Sequence, residues 1–162
     1  MRFARETDVT AAQADPAKFT DGVWRSEILP SRAGEGQEPG LQAHRFAYQP
    51  GARSAWHTHH GEQALHVVAG RGLVQRWGDA AATPIGPGDW VHVQPGEKHW
   101  HGAAPDDTLV HLAVTASGGT DWQEPVSDDD YRGASARALT RQSTPTDPPH
   151  PASAPTVPKE SA

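Results

Sequence analysis

Histidines dominate the residues able to do chemistry in this 162-residue chain, and two pairs of them are spaced for metal binding. Nine of the ten histidines lie between positions 44 and 111, where His57 and His59 form one pair and His99 and His101 another. Because side chains at positions i and i+2 of a strand share a face, each pair can converge on one ion. Neutral imidazole suits Mn, Fe, Co, Ni, Cu or Zn, and a chain without cysteine has no thiolate for a closed structural zinc site. The spacing therefore predicts a divalent-metal site.

Short segments that favour strands surround these histidines. They are rich in Val, Leu, Trp and Tyr, and turns containing Gly, Pro and Asp separate them. The candidate strands are Gly22–Leu29, Leu41–Tyr48, Ala55–His59, Gln63–Val68, Gly72–Trp77, Asp89–Val93, His99–Gly102 and Thr108–Thr115. Because no helical periodicity of eleven or more residues precedes Asp128, the pattern predicts an all-β fold, either an antiparallel sandwich or a small barrel.

The two ends of the chain differ in composition from its centre. Residues 1–19 are polar, which indicates a loose arm. Residues 20–131 contain the strand-favouring segments and have the length of one domain. Residues 132–162 predict a disordered tail, because the last thirty residues hold six prolines and no aromatic residue. An acidic run that begins at Asp128 could open a short helix at the end of the domain.

Charge and hydropathy exclude several partners. Residues 20–131 contain seven Lys or Arg and fifteen Asp or Glu, and this net charge of −8 would repel a phosphate backbone. The longest apolar run, Ala64–Ala69, is interrupted by His66 and is too short to span a membrane. The first residues lack the apolar region of a secretory signal. We expect a cytoplasmic protein with neither a nucleic-acid nor a membrane partner.

Two motifs resemble those of the cupin superfamily. The segment from Gly51 to Gly70 contains His57, His59 and Gln63 at the spacing of the first motif, G-x5-H-x-H-x3/4-E-x6-G. The segment from Gly88 to His99 resembles the second motif, G-x5-P-x-G-x2-H-x3-N. This resemblance implies a double-stranded β-helix, or jelly-roll barrel, that holds one divalent ion.

Three segments, Pro50–His59, Gly70–Arg76 and Pro95–Ala103, are similar in sequence to those of small bacterial cupins. These cupins include manganese-dependent hydroxynitrile lyases and cupins associated with carboxymuconolactone decarboxylases. The resemblance implies that His57, His59, Gln63 and His99 bind the ion, with Mn expected and Fe, Zn, Ni or Co as alternatives. The chain departs from the superfamily motif because Gln63 replaces its glutamate. Glu62, one residue earlier, therefore remains an alternative fourth ligand.

Three further histidines are candidate catalytic residues. The resemblance implies that His111 is the acid/base partner, and its position in the strand Thr108–Thr115 is compatible with an inward side chain. A core histidine held by a backbone carbonyl is the alternative at this position. His101 shares a strand face with His99 and is either a second proton shuttle or a support for the ligands. His44 is either a pocket residue or a surface residue.

For the other histidines and for three tryptophans, the sequence predicts only a position in the fold. We expect His60 and His66 at the rim or on the opposite face, and Trp56, Trp90 and Trp100 in the cavity wall and core. The position of His92 stays open, with the cavity wall as one of its alternatives.

Three functions are compatible with these features. The first is a metal-dependent lyase that cleaves a cyanohydrin to an aldehyde and HCN, with the metal as Lewis acid and a pocket histidine as base. The second is an Fe(II) dioxygenase or an isomerase, and the third is a cupin that binds or senses a small molecule without chemistry. In each case the partner is a small molecule, and we expect a homodimer or homotetramer.

Overall fold

The computed structural model describes residues 5–29 and 40–142, which form two antiparallel sheets and one helix. The strands are β1 (Ala11–Gln13), β2 (Val23–Leu29), β3 (Gln42–Tyr48), β4 (His57–His59), β5 (Gln63–Gly70), β6 (Gly72–Arg76), β7 (Thr83–Ile85), β8 (Trp90–Val93), β9 (His99–Ala103), β10 (Leu109–Thr115) and β11 (Thr120–Trp122). The helix α1 spans Asp128–Gln142, and a 3-10 turn covers Glu6–Asp8.

The two sheets pack face to face as a jelly roll. The larger sheet has the order β1-β2-β3-β10-β5-β8, and the smaller has the order β11-β4-β9-β6-β7. This architecture confirms the predicted all-β, double-stranded β-helix fold. Alternation along β10 leaves every second residue buried, because those side chains point between the sheets.

Two apolar cores hold the molecule together. The main core lies between the sheets and includes Phe46, Tyr48, Leu65, Val67 and Leu109. A smaller core lies beneath α1, on the other face of the five-stranded sheet. It contains Trp56, Leu73, Ala82, Trp100, Val126, Tyr131, Ala134 and Ala138. Strand β9 is therefore buried on both faces, and all five of its residues are buried.

The domain was predicted to end at residue 131, with a disordered tail from residue 132. Helix α1 continues past this boundary, because residues 132–142 are helical. Ser127 caps the helix by accepting the backbone N–H of Asp130. Ala134 and Ala138 are buried at i, i+4 spacing, which lets the helix approach the sheet. The expectation of disorder was wrong here, because small alanines bury a helix face without the large aliphatic residues that the composition lacked. The rest of the predicted tail, residues 143–162, lies outside the described part of the chain.

The amino-terminal arm also differs from its prediction. Strand β1 pairs with β2, which adds a strand at the edge of the larger sheet. Phe19 is buried, and its ring lies 5.4 Å from Phe46 and 5.2 Å from Trp122, measured between centroids. The arm therefore forms part of the barrel wall. Within the described ranges, the helix is too short and too polar to cross a membrane.

Candidate metal centre

Neighbouring strands bring His57 and His99 together inside the barrel. The two residues are directly opposite each other on β4 and β9, and their ring centroids are 4.2 Å apart. Each Nδ1 lies beside a backbone carbonyl: that of His57 is 2.9 Å from Ala55 O, and that of His99 is 2.8 Å from Glu97 O. A carbonyl only accepts, so each Nδ1 carries the hydrogen and each Nε2 keeps its lone pair. Both side chains are thus prepared to bind a cation through Nε2.

His59 presents one buried ring nitrogen that is not hydrogen-bonded within the described part of the chain. Its Nδ1 lies 2.9 Å from Thr120 Oγ1 on β11, while its Nε2 is buried and has no hydrogen-bond partner among the described residues. An unpaired buried polar atom is costly. A bound metal ion would satisfy it, since Nε2 of neutral imidazole is a common ligand atom.

Gln63 enters from the opposite sheet. It lies opposite Thr115 in the pairing of β5 with β10, and its Nε2 donates to Thr115 Oγ1 over 3.4 Å. Its Oε1 then faces His99 Nε2 at 3.3 Å. Because both atoms present lone pairs, they would repel each other, and a cation between them would remove this repulsion.

The alternative ligand Glu62 points away from this group. Its side chain is 64% exposed and lies 3.6 Å from His92 on the outer surface. Gln63 is only 4% exposed, since strand alternation turns these neighbours to opposite faces. Of the two candidates for fourth ligand, only Gln63 is positioned to reach the histidines.

A fourth histidine of the smaller sheet, His101, approaches the same point. His57, His99 and His101 each offer one ring nitrogen, and these three atoms lie within 4.8 Å of one another. These three histidines could therefore hold a metal ion. The Nδ1 of His101 lies 3.2 Å from the hydroxyl of Tyr48. The structure thus brings together the four predicted ligands and His101.

Burial keeps these rings neutral. Removal from water lowers the pKa of His57, His99 and His101, and it lowers that of His59 to about 4. The charge that His99 would carry further lowers the pKa of His57 and His59, whereas Gln63 partly raises that of His59. A divalent ion would therefore meet unprotonated ligands at neutral pH.

The candidate metal centre lies at the wall of a cavity of about 580 Å³. His57, His59, Gln63 and His101 line it, and so does His44. The remaining wall is divided between aromatic or small apolar residues and polar or charged residues. These include Phe19, Phe46, Ala113, Trp122, Arg25 and Glu27. The cavity is in the size range of small-molecule sites.

His111, the predicted acid/base partner, does not line this cavity. It is fully buried on β10, where its ring stacks 5.4 Å from Tyr48 and lies 4.8 Å from His101, between centroids. Neither ring nitrogen has a hydrogen-bond partner within the described ranges. Burial lowers its pKa to about 4, and an interaction with the Leu112 backbone offsets only part of this effect. The side chain points inward, as expected, but it packs behind the cavity wall.

The expectation for Trp90 was wrong, and the open position of His92 is on the outer face. Trp90 is 66% exposed and stacks on His66 at 4.3 Å, on the outer face of the larger sheet. His92 is likewise exposed, because it shares this outward parity on β8. Trp56 and Trp100 are buried, as predicted, in the small core beneath α1.

Sequence reasoning missed three residues that hold the site. Tyr48 contacts His101, Thr120 contacts His59, and Thr115 orients Gln63. Tyr48 shares a strand face with His44, so alternation could have placed it in the barrel. Thr120 belongs to a three-residue strand that has no pattern of its own.

Comparison with known proteins agrees with this geometry. Residues 44–115 match the family model of the cupin domain. Over 126 residues the chain is 51% identical to an (R)-mandelonitrile lyase from Granulicella tundricola, covering 75% of this chain and 92% of that protein. The chain belongs to the cupin superfamily.

Solved structures show the same cupin fold. A cupin-like protein from Thermotoga maritima superposes with a TM-score of 0.70 at 34% identity, covering 76% of this chain and 92% of that one. The polyketide cyclase RemF from Streptomyces resistomycificus has a TM-score of 0.61 at 20% identity, covering 82% and 91% of the two chains. This second likeness concerns the fold alone.

Proposed function

We propose that this cupin is a metal-dependent hydroxynitrile lyase, which cleaves a cyanohydrin into an aldehyde and HCN. The observation that carries the proposal is a set of neutral metal-ligating atoms at the wall of a cavity that also has aromatic surfaces, in a chain 51% identical to an (R)-mandelonitrile lyase. The proposed cofactor is one divalent ion, with Mn expected and Fe, Zn, Ni or Co as alternatives. A cytoplasmic location and a homodimeric or homotetrameric state stay predictions.

The proposed ligands are His57, His59, Gln63 and His99. Their unpaired or repelling lone pairs support this assignment. None of them is a carboxylate, so the positive charge of the ion is not compensated by its ligands. When bound, the ion would supply a strong Lewis acid that polarises an oxygen or nitrogen of the substrate.

The cavity suits an apolar aldehyde fragment. Phe46 and Trp122 offer aromatic surfaces for a phenyl ring, and Ala113 leaves room between them.

We assign the role of proton acceptor to His44, since His111 does not line the cavity. Among residues 5–29 and 40–142, His44 Nε2 is buried without a hydrogen-bond partner, and the carboxylate of Glu27 lies 3.8 Å from it. Burial and Arg25 lower the pKa of His44, which keeps it neutral, while Glu27 raises the pKa and would stabilise the imidazolium.

The proposed reaction balances with this one acceptor. The substrate hydroxyl gives its proton to His44 as the C–CN bond breaks. The electrons of the O–H bond form the carbonyl, and those of the C–CN bond leave with cyanide. The imidazolium then returns the proton to cyanide as HCN, and His44 is again neutral.

Removal of the metal tests the proposal. We expect chelator-treated protein to lose cleavage of mandelonitrile, followed by benzaldehyde absorbance, and to regain it when Mn²⁺ or another of the proposed ions is added. Glu62→Gln is the control for local perturbation, because this exposed side chain lies outside the cavity.

Two results would contradict the proposal. One is full activity after complete metal removal. The other is a metal-loaded protein that cleaves neither aryl nor alkyl cyanohydrins, and oxygen uptake with enolic or aromatic substrates would then favour an oxygenase.

A further inference from the structure

We infer that Tyr48 fixes His101 in the Nε2–H tautomer, so that His101 donates a hydrogen bond into the cavity and is not a metal ligand. The inference deepens the proposed function, because it separates the histidines that would hold the ion from the one that would contact the substrate. Proximity alone does not separate them, since His101 lies as close to His57 and His99 as a ligand would.

The first argument concerns the hydroxyl of Tyr48. This side chain is 1% exposed, and its oxygen lies 3.2 Å from His101 Nδ1. Among residues 5–29 and 40–142, no other group forms a hydrogen bond with this hydroxyl. A buried O–H that donates to nothing is costly, so the hydroxyl donates to Nδ1. Nδ1 then has no hydrogen, and the neutral ring carries its hydrogen on Nε2.

The proposed ligands have the opposite arrangement. Carbonyl oxygens face the Nδ1 atoms of His57 and His99, and these oxygens cannot donate. The neighbour of each Nδ1 therefore determines whether Nε2 carries a lone pair or a hydrogen.

His59 also lies beside a hydroxyl, but in a different setting. Thr120 is only partly buried and lines the cavity, so its O–H can turn toward solvent and its oxygen can accept from His59 Nδ1. The Tyr48 hydroxyl has no such freedom, because it is enclosed by the barrel core.

Packing holds Tyr48 in this position. Its ring stacks on His111 at 5.4 Å and lies 6.0 Å from Phe46, and it meets His101 edge to face at 6.1 Å. With Nδ1 held by Tyr48, the Nε2–H of His101 is the group left to face the cavity, which His101 lines. It can donate to an accepting atom of the substrate, the oxygen or the nitrile nitrogen, without giving up its proton. Tyr48 is thus a positioning residue.

Nitrogen NMR of the histidine rings tests the tautomers directly. In the full chain labelled with ¹⁵N-histidine and loaded with diamagnetic Zn²⁺, we expect His101 to show a protonated Nε2 and a bare Nδ1. We expect His57 and His99 to show protonated Nδ1 atoms and Nε2 signals that shift when Zn²⁺ binds. Single His→Gln variants assign the signals.

Two tyrosine variants provide a matched comparison. Tyr48→Phe should change the tautomer signals of His101 and leave those of His57 and His99 in place. Tyr131→Phe removes another buried hydroxyl, which donates to Ala103 O, and should leave the His101 signals unchanged. Signals of His101 that are the same in Tyr48→Phe and in the parent protein would overturn the inference.

Metal stoichiometry gives a second readout that does not need the Tyr48 variant to fold. We expect His101→Gln to retain one ion per chain and His57→Gln to lose it. Loss of the ion from His101→Gln, or a Zn²⁺-dependent shift of a bare His101 Nε2, would overturn the inference. Both readouts are independent of cyanohydrin turnover, so a failure of the proposed function would be seen separately.

Discussion

Backbone carbonyls, rather than side chains, orient two of the proposed ligands. His57 and His99 each bond through Nδ1 to the carbonyl of the residue two positions earlier, Ala55 or Glu97. Their orientation therefore depends on the path of the chain into β4 and β9, and substitutions of the Ala55 or Glu97 side chains leave these carbonyls in place. The other proposed ligands depend on hydroxyl groups, those of Thr120 and Thr115.

His44 is the residue whose substitution should separate chemistry from metal binding. In His44→Gln we expect kcat for mandelonitrile to fall by about 10²–10⁴-fold, the usual effect of losing a proton acceptor. Metal content should stay at the parent level, because His44 is outside the proposed ligand set. Steady-state kinetics and elemental analysis measure the two effects.

His92→Gln is the control for this experiment, since it makes the same chemical change at an exposed site. Turnover of His44→Gln within about twofold of the parent protein would show that another group accepts the proton.

At the level of single residues, spacing predicted which histidines approach one another but not how deep each one lies. The i, i+2 spacing of His57 with His59 and of His99 with His101 gives a shared face directly. Strand alternation also predicted that the His111 side chain points inward. It does not predict whether an inward ring reaches the cavity or packs behind the cavity wall. That depends on Tyr48 and Phe46, which come from a neighbouring strand.

Among the elements, the short strand β11 orients one of the proposed metal ligands. It pairs with β4 so that Thr120 lies opposite His59, and the Thr120 hydroxyl bonds the His59 ring. The three residues of β11 therefore set the orientation of a proposed ligand on the neighbouring strand.

Thr120→Val should weaken metal binding while the barrel stays folded. Valine keeps the branched shape that suits a strand but cannot bond His59 Nδ1, so we expect metal affinity to fall by about 10–100-fold. Competition with a metal-binding dye measures the affinity, and circular dichroism checks the fold.

Asp121→Asn, at the next position of β11, is the matched control because Asp121 is exposed and bonds His60 outside the cavity. Equal metal affinity in Thr120→Val and the parent protein would show that β11 does not hold the ligand in place.

Eight predicted strands are present with their ends shifted by at most two residues, because Gly and Pro turns mark where strands end. The three strands that were missed, β1, β7 and β11, have three residues each, too few for an alternating pattern to be visible. Their pairing is decided by neighbours distant in the sequence. Helix α1 was underestimated for a similar reason, since its buried face consists of alanines whose partner, Trp100, lies on β9.

For the molecule as a whole, the buried histidines couple folding to pH. The pKa of His59 and His111 is about 4 in the folded protein, against 6.5 for a histidine in water. The unfolded chain therefore binds more protons between these values, and the free energy of unfolding is highest above pH 6.5 and decreases as the pH falls toward 4.

His111→Leu should reduce this pH dependence in the metal-free protein. Between about pH 7.5 and about pH 5.5, one such histidine accounts for a loss of about 1.4 kcal/mol of stability, which leucine at this position would not show. Urea unfolding at the two pH values measures the difference, and His92→Gln serves as the exposed control. An identical loss in His111→Leu and the parent protein would contradict this origin of the effect.

The double-sided burial of β9 ties the proposed metal site to the end of the described chain. His99 and His101 face the barrel interior, while Trp100 between them packs against Tyr131 of α1. Removing the helix would leave an indole exposed to water on the strand that carries both imidazoles. An engineer who transplants this cavity and its histidines into another host should therefore carry residues 126–138 with them, even though none of these residues lines the cavity.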